Sequence, residues 1–360
     1  MIYIIINTLT TVFLYLYSTY KYTPLSRLFI GGMCIFLIAL LPAFQYGVGT
    51  DYFSYQNIYN NDNVVDTFYQ NKEYIFYAYV KFFQFLGGDF KTFVIYTSLL
   101  QSLLIFIIIT QMYKNYGHSI IIIFFLFWTV TNLLHTQMNI IRASFAIYIF
   151  IISMLFKFRG KIIVCFVLMI IAIGFHRSAL LGLCFVLIPV KVYYFAYNHV
   201  FKIYFLSFLL FVTPFLHQIV FYIVQELFPY YTHYLFSFDE NAVSFWNVAT
   251  KIYWVPFGLF FIYLIKCNAI LIKDCERGLI GLWVLTGNVY LLMVNFDFVS
   301  RVNFYFVFFY IIPIAYVFRY FIRNNNVILL YVGLLYCFIP YLLKVSLFPV
   351  AEFYYKTYLF

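Results

Sequence analysis

Asp51, Arg142, His176, Arg177, Asp297 and Arg301 are the residues whose types and settings could do chemistry. Each follows an apolar run in a chain poor in charge, where an ionisable group is costly unless it pairs, binds or reacts. Asp51 closes Gln45-Tyr46-Gly47-Val48-Gly49-Thr50-Asp51-Tyr52, whose glycines suit a tight turn that exposes the carboxylate. It reads either as a catalytic or ligand-binding acid or as a solvated loop acid. Arg142 is a permanent cation whose fork matches phosphate. His176 is a candidate general base, because its ring titrates near neutrality. Arg177 is adjacent, about 100° away on a helix, so one of the two can face a cavity while the other reaches lipid headgroups. Asp297 and Arg301 stand four apart, the spacing of a helix ion pair, and Arg301 alternatively holds an anion.

Around these lie further polar groups. Asn132, His135, Asn139 and Arg142 are spaced 3, 4 and 3 apart and share one face if that stretch is helical. His135 by itself reads as a hydrogen-bonded structural residue. Tyr52, Tyr55 and Tyr59 make either an aromatic wall for sugar rings or an interfacial belt. Lys356 stands near the end of the chain. There is no HExxH, GxSxG, Walker or clustered Cys/His pattern, so zinc hydrolase, serine hydrolase and nucleotidase readings have no support. The glycine pair lacks the strand-helix context of a dinucleotide site.

The elements that must position these groups follow from composition. Of 360 residues, 66% are hydrophobic and 9% charged, too few polar groups to surface a water-soluble globule. Disorder is excluded by the same apolar excess. Runs such as Leu103–Ile109 and Ile120–Phe127 are continuously apolar, unlike the alternating strands of a membrane barrel. The expectation is an all-α polytopic membrane protein with about 12 transmembrane helices. The spans are placed at 1–20, 28–44, 93–113, 119–134, 140–156, 162–174, 179–190, 203–225, 252–265, 278–296, 302–318 and 327–343. The first has no basic leading region and reads as a retained span rather than a secretion signal. The whole of 1–360 is expected to be one integral membrane domain, without internal repeats. Its two longer external loops are 45–92, which holds an interfacial helix at 74–88, and 226–250. The six cysteines have no zinc-ribbon spacing and read as small hydrophobes needing no disulfide.

Charge sets the orientation. The net charge of +10 could suggest nucleic acid, but its distribution argues for membrane orientation instead. With 74–88 left uncrossed, the connections on one side carry 13 of the 22 Lys and Arg residues, among them Lys157, Arg159, Lys161, Lys266, Lys273 and Arg277, opposed by Asp274 and Glu276 alone. Lysine and arginine accumulate on the cytoplasmic side. Both termini, both long loops and the six reactive candidates therefore fall outside.

At these positions the chain resembles the EpsG-like family of membrane polysaccharide polymerases, which includes Wzy-type O-antigen and capsule polymerases. The matching pieces are Tyr46-Gly-Val-Gly-Thr-Asp51-Tyr52 with Tyr55, Asn139-Ile-Ile-Arg142-Ala-Ser-Phe-Ala146, Phe175-His176-Arg177-Ser178-Ala179-Leu180 and Ser300-Arg301-Val-Asn-Phe-Tyr305-Phe306. Pro349 with Tyr354-Tyr355-Lys356 is similar to the family's ending. Gln45 and Tyr46 stand where the family pattern usually has an arginine.

The resemblance implies a multi-pass protein of the bacterial inner membrane that joins oligosaccharide repeat units carried on undecaprenyl diphosphate at the periplasmic face. It implies no cofactor and no metal. The partners are the lipid-linked oligosaccharide, membrane lipids and a chain-length regulator protein, with no nucleic acid. Asp51 or His176 would be the base. Arg142, Arg301 and Arg177 would hold the diphosphate, with Tyr52, Tyr55, Asn139 and Lys356 binding substrate. A lipid-oligosaccharide flippase or an O-antigen ligase is the alternative. A transporter would need charges near mid-bilayer and paired broken helices, whereas these candidates gather at one face.

Overall fold

Long apolar segments in this chain satisfy their backbone groups within themselves, and the result is helix throughout the described residues. The computed structural model describes residues 2–19, 23–212, 252–291, 299–347 and 349–358, with short pieces at 218–219, 222 and 225–226. Residues 227–250 of the expected 226–250 loop and Asp297 lie outside that description. Among the described residues there is no strand, only an isolated bridge between Gln45 and Thr357.

The chain divides into two compact units, Met1–Val186 with Tyr331–Phe360, and Leu187–Leu330. The first is built from α1 (Ile2–Thr19), α2 (Pro24–Ala43), α3 (Tyr52–Asn60), α4 (Asp62–Gln70), α5 (Tyr74–Phe85), α6 (Phe90–Tyr116), α7 (Ile120–Thr129), α8 (Leu133–Asn139), α9 (Ile141–Lys157), α10 (Ile162–Phe175) and α11 (Leu180–Leu187). The second holds α12 (Val190–Asn198), α13 (Val200–Val212), α14 (Val255–Lys266), α15 (Asp274–Thr286), α16 (Val299–Phe306) and α17 (Ile311–Arg323). Most of α18 (Val327–Leu342) belongs to the first.

Five described helices are long and apolar enough to cross a membrane, or up to seven if each of two bent pairs is one span. The sides of α10 show what solvent they suit. Cys165, Met169 and Ala172 are buried at helical spacing, while Ile163 is 77% and Ile170 68% exposed. A helix apolar on both its packed and its open face belongs in lipid. The interval 45–92 is more structured than expected, with α3 and α4 before the helix anticipated at 74–88. That helix, α5, buries Phe76, Val80 and Phe83 and exposes Tyr74, Phe82 and Phe85. The expected span 119–134 is bent by 49° between α7 and α8, where Asn132 takes a left-handed φ of 55°. The stretch after 190, expected as a connection, is the helix α12.

In the second unit α15 and α17 are fastened by charge. Glu276 is fully buried, its Oε1 accepts from Arg319 Nη1 at 3.1 Å, and its Oε2 caps the backbone N–H of Lys273 at 2.8 Å. Arg277 and Asp274 pair at 3.3 Å in the open. Stranding a buried charge typically costs about 3–5 kcal/mol, whereas exposed pairs contribute roughly 0–1 kcal/mol. Arg319→Met should therefore lower the thermal midpoint in detergent sharply, and Arg277→Ala should barely move it. Equal effects from the two would reject this ordering.

Candidate functional site

The site begins with a carboxylate that the reading of the sequence missed. Glu73 lies in the polar break Asn71-Lys72-Glu73 between two aromatic-rich helices. Lys72 takes a left-handed φ of 64°, which closes α4, and Glu73 then stands at the cap of α5. The residue is 4% exposed. A buried carboxylate must be partnered to remain ionised. Its Oε2 accepts from Arg142 Nη1, and its Oε1 meets His176 Nδ1 at 2.8 Å and the Arg177 backbone N–H at 3.1 Å.

Each partner arrives for a local reason. His176 is extended (φ −153°, ψ 124°), so α10 ends at Phe175 and a tight 3-10 turn, Arg177–Ala179, follows. The first N–H groups of a helical turn lack internal acceptors, and Glu73 supplies one from about a hundred residues earlier in the chain. The approach of α5 to α10 needs Gly174, where an added Cβ would lie 2.6 Å from Ile75 Cγ1. Arg142 sits in the first turn of α9; its backbone N–H points to the Tyr55 hydroxyl at 3.3 Å, and its guanidinium lies 4.5 Å over the Phe68 ring. Beneath these groups Tyr52, Tyr55, Tyr59, Phe68, Phe76, Phe90 and Phe93 pack as one aromatic core. Cations stacked on aromatic faces inside such a core are held, not mobile.

Asp51 is placed separately. Gly47 and Gly49 both have positive φ, and a Cβ on Gly49 would lie 2.7 Å from Asn139 Oδ1. That approach lets Asn139 Oδ1 accept from the Asp51 backbone N–H at 2.9 Å and from Thr50 Oγ1 at 3.2 Å. Asp51 Oδ1 also accepts from Thr50 Oγ1, at 3.1 Å. The carboxylate is half-buried and in no ion pair among the described residues. It stands one helical turn before Tyr55, which touches Arg142, so the acid and the Glu73 cluster are neighbours.

The anticipated polar stripe does not share one face. Ile140 (φ −106°, ψ 64°) separates α8 from α9. Asn139 therefore turns to Asp51 and Arg142 to Glu73, while His135 is buried against Tyr341, with Nε2 2.8 Å from the Tyr341 hydroxyl. Tyr52, Tyr55 and Tyr59 are all buried in the aromatic core rather than standing as an open wall or belt. Arg177 is exposed, and its guanidinium is in no ion pair among the described residues. The Lys356 backbone carbonyl accepts from the Tyr46 N–H at 2.9 Å; its side chain is exposed, 5.4 Å from the Tyr354 ring. Arg301 lies in α16 of the second unit, and its side chain falls outside the described residues. No group of three or more His, Cys, Asp or Glu side chains suited to a metal occurs among the described residues.

An all-helical membrane protein with acid, imidazole and guanidinium groups gathered at helix ends is the class these features define. The chain belongs to the EpsG family: the family model matches residues 28–360, and the family is one of Wzy-like polymerases. No curated protein and no solved structure matches the chain.

Burial pushes the Glu73 carboxyl up, but the His176 hydrogen bond, the Arg142 and His176 charges and the Arg177 N–H together outweigh it and hold it below the usual carboxylate range. A lowered folded value means that this link stabilises fully above about pH 4.5, the ordinary glutamate range, and weakens as pH falls through the lowered value. Detergent-solubilised protein should lose thermal stability on acidification below pH 4.5. Glu73→Gln should start less stable, and the gap to the parent should narrow over the same interval. A gap independent of pH would contradict an ionised Glu73.

Proposed function

We propose that this protein polymerises oligosaccharide repeat units carried on undecaprenyl diphosphate, at the periplasmic face of the bacterial inner membrane. The observation that carries the reading is the presence, within one unit, of the half-buried Asp51 carboxylate and the exposed Arg177 guanidinium, neither of them in an ion pair among the described residues, alongside the rigid Glu73 cluster. Membership of a Wzy-like polymerase family supports it, and so does the bias of Lys and Arg toward the other side.

The reaction makes two demands. Asp51 takes the proton from an acceptor sugar hydroxyl, whose oxygen attacks the anomeric carbon of the donor chain. The bond from that carbon to the diphosphate oxygen breaks, and the lipid diphosphate leaves with the electron pair. Cations fixed before the reaction stabilise this developing charge without reorganising. Arg177 is suited to that task, since Glu73 anchors its backbone while its guanidinium stays open. Arg142 is spent on Glu73 and holds the site together; its Nε is buried and makes no hydrogen bond among the described residues. With Nδ1–H given to Glu73, His176 presents Nε2 to the same region.

In this reading twelve spans place both termini and the 45–92 loop outside. A reporter fused after Arg323 should be cytoplasmic and one after Phe360 external; the reverse would overturn the topology. Asp51→Asn and Arg177→Ala should each cut polymerisation of purified lipid-linked oligosaccharide by about 100-fold or more, in line with the loss of an acid-base or charge-stabilising group. Cells carrying them should accumulate single repeat units outside with normal amounts of inserted protein. Units trapped inside would indicate a flippase, and long polymer left on the carrier lipid a ligase.

A further inference from the structure

The last described stretch of the chain, residues 349–358, does not trail away. Tyr46 N–H donates to the Lys356 carbonyl at 2.9 Å, Gln45 and Thr357 form an antiparallel bridge, and Tyr358 N–H reaches the Phe44 carbonyl at 3.4 Å. Side chains add to this ladder. The Tyr52 and Tyr358 hydroxyls are hydrogen-bonded, Tyr355 donates to the Leu41 carbonyl at 3.1 Å, and Lys91 Nζ lies 4.7 Å over the Tyr358 ring. Farther back, Phe353 stacks on His135 with centroids 4.6 Å apart, and the Tyr3 hydroxyl donates to the Glu352 carbonyl at 2.9 Å. All these partners lie in the first unit.

The contacts bracket Asp51. The bridge and its neighbours hold 44–46 immediately before the glycine turn, and Tyr358 holds Tyr52 immediately after the acid. Gly47 and Gly49, with their positive φ, are permissive backbone that needs an external frame to adopt one conformation. Asn139 fixes one side of that turn, and the C-terminal segment fixes both its ends. The segment itself is under constraint: Ala351 takes a left-handed φ of 51°, a conformation that a non-glycine residue keeps only where surrounding contacts impose it. Glu352, next to that residue, is partly buried, and burial pushes its carboxyl up, with Lys344 and Asp51 close enough to act on its charge.

We propose that residues 350–358 are a permanently docked strap that positions Asp51, so that the C-terminal segment is a working part of the site. This rests on the polymerase reading for what Asp51 does, but not for what holds it. A strap that stays docked predicts that locking it costs nothing and removing it costs the site. Directly opposed bridge residues lie at distances a disulfide spans. Gln45→Cys/Thr357→Cys should therefore cross-link on oxidation, and the cross-linked protein should polymerise lipid-linked oligosaccharide within twofold of its reduced form.

Full-length protein and a chain ending at Pro349 are then compared in detergent by amide exchange and by steady-state polymerisation. The shortened chain should exchange the amides of 45–52 at least tenfold faster, with exchange of α9 unchanged as proof of fold. Its kcat should fall at least tenfold with KM for the donor within twofold. Tyr358→Phe, which removes one hydroxyl, should show the same changes to a smaller degree. Unchanged exchange at 45–52 on shortening overturns the strap, as does a cross-linked protein that is inactive until reduced, which would make the segment a lid. If the parent protein fails to polymerise the substrate, the polymerase reading falls, while the exchange result still decides the strap.

Discussion

Everything at the candidate site depends on one carboxylate in a place where a charge cannot stand alone. Glu73 is buried beside an aromatic core and has two oxygens to satisfy. It does so by drawing in a guanidinium from the start of α9, a ring from the end of α10 and a backbone N–H from the turn that follows. The same low polarity that makes the unpaired charge expensive makes the paired arrangement rigid. Three helix ends far apart in sequence are thereby fixed relative to one another, and an exposed arginine is fixed with them.

A second constraint works on the acid. Asp51 lies on a glycine turn, and such a turn has no conformation of its own to impose. Its geometry comes from Asn139, from the C-terminal segment and from the phenol of Tyr52 packed beneath it. Glycine is required at 49 because the Asn139 carboxamide occupies the space a side chain would need. The site thus divides into a cation cluster held by charge and an acid held by backbone hydrogen bonds. Tyr55 is the link between them, because its N–H bonds the Asp51 carbonyl and its hydroxyl meets the Arg142 N–H.

Much of this is legible in the sequence alone. Helices observed at Ile2–Thr19, Pro24–Ala43, Phe90–Tyr116, Ile141–Lys157, Ile162–Phe175 and Val327–Leu342 lie where continuous apolar runs put them. The cost of a charge at a membrane edge marks Asp51, Arg142, His176 and Arg177, and the first unit brings them to neighbouring positions. Glu73 carries no such mark, because it lies in a short polar break with the pattern of an ordinary turn. Its value comes from burial, which no local pattern announces. The polar stripe from Asn132 to Arg142 failed as a single face because Ile140 interrupts the helix, and an isoleucine gives no warning of a break. The tyrosines after Asp51 were visible, but that they pack inward depends on α4, α5 and α6 folding over them.

The sequence by itself determined the solvent, the helical class and the chemical inventory, because these follow from how many residues are apolar and where the few charges stand. Only the tertiary structure decided which charge meets which. Arg142 is turned to Glu73 while Arg177 is left open, and a backbone carbonyl of the C-terminal segment, rather than the Lys356 ammonium, holds the Asp51 loop. The physical reason is that composition and period act along the chain, whereas a buried charge takes its partner from whatever the packing of distant helices brings within about 3 Å of it.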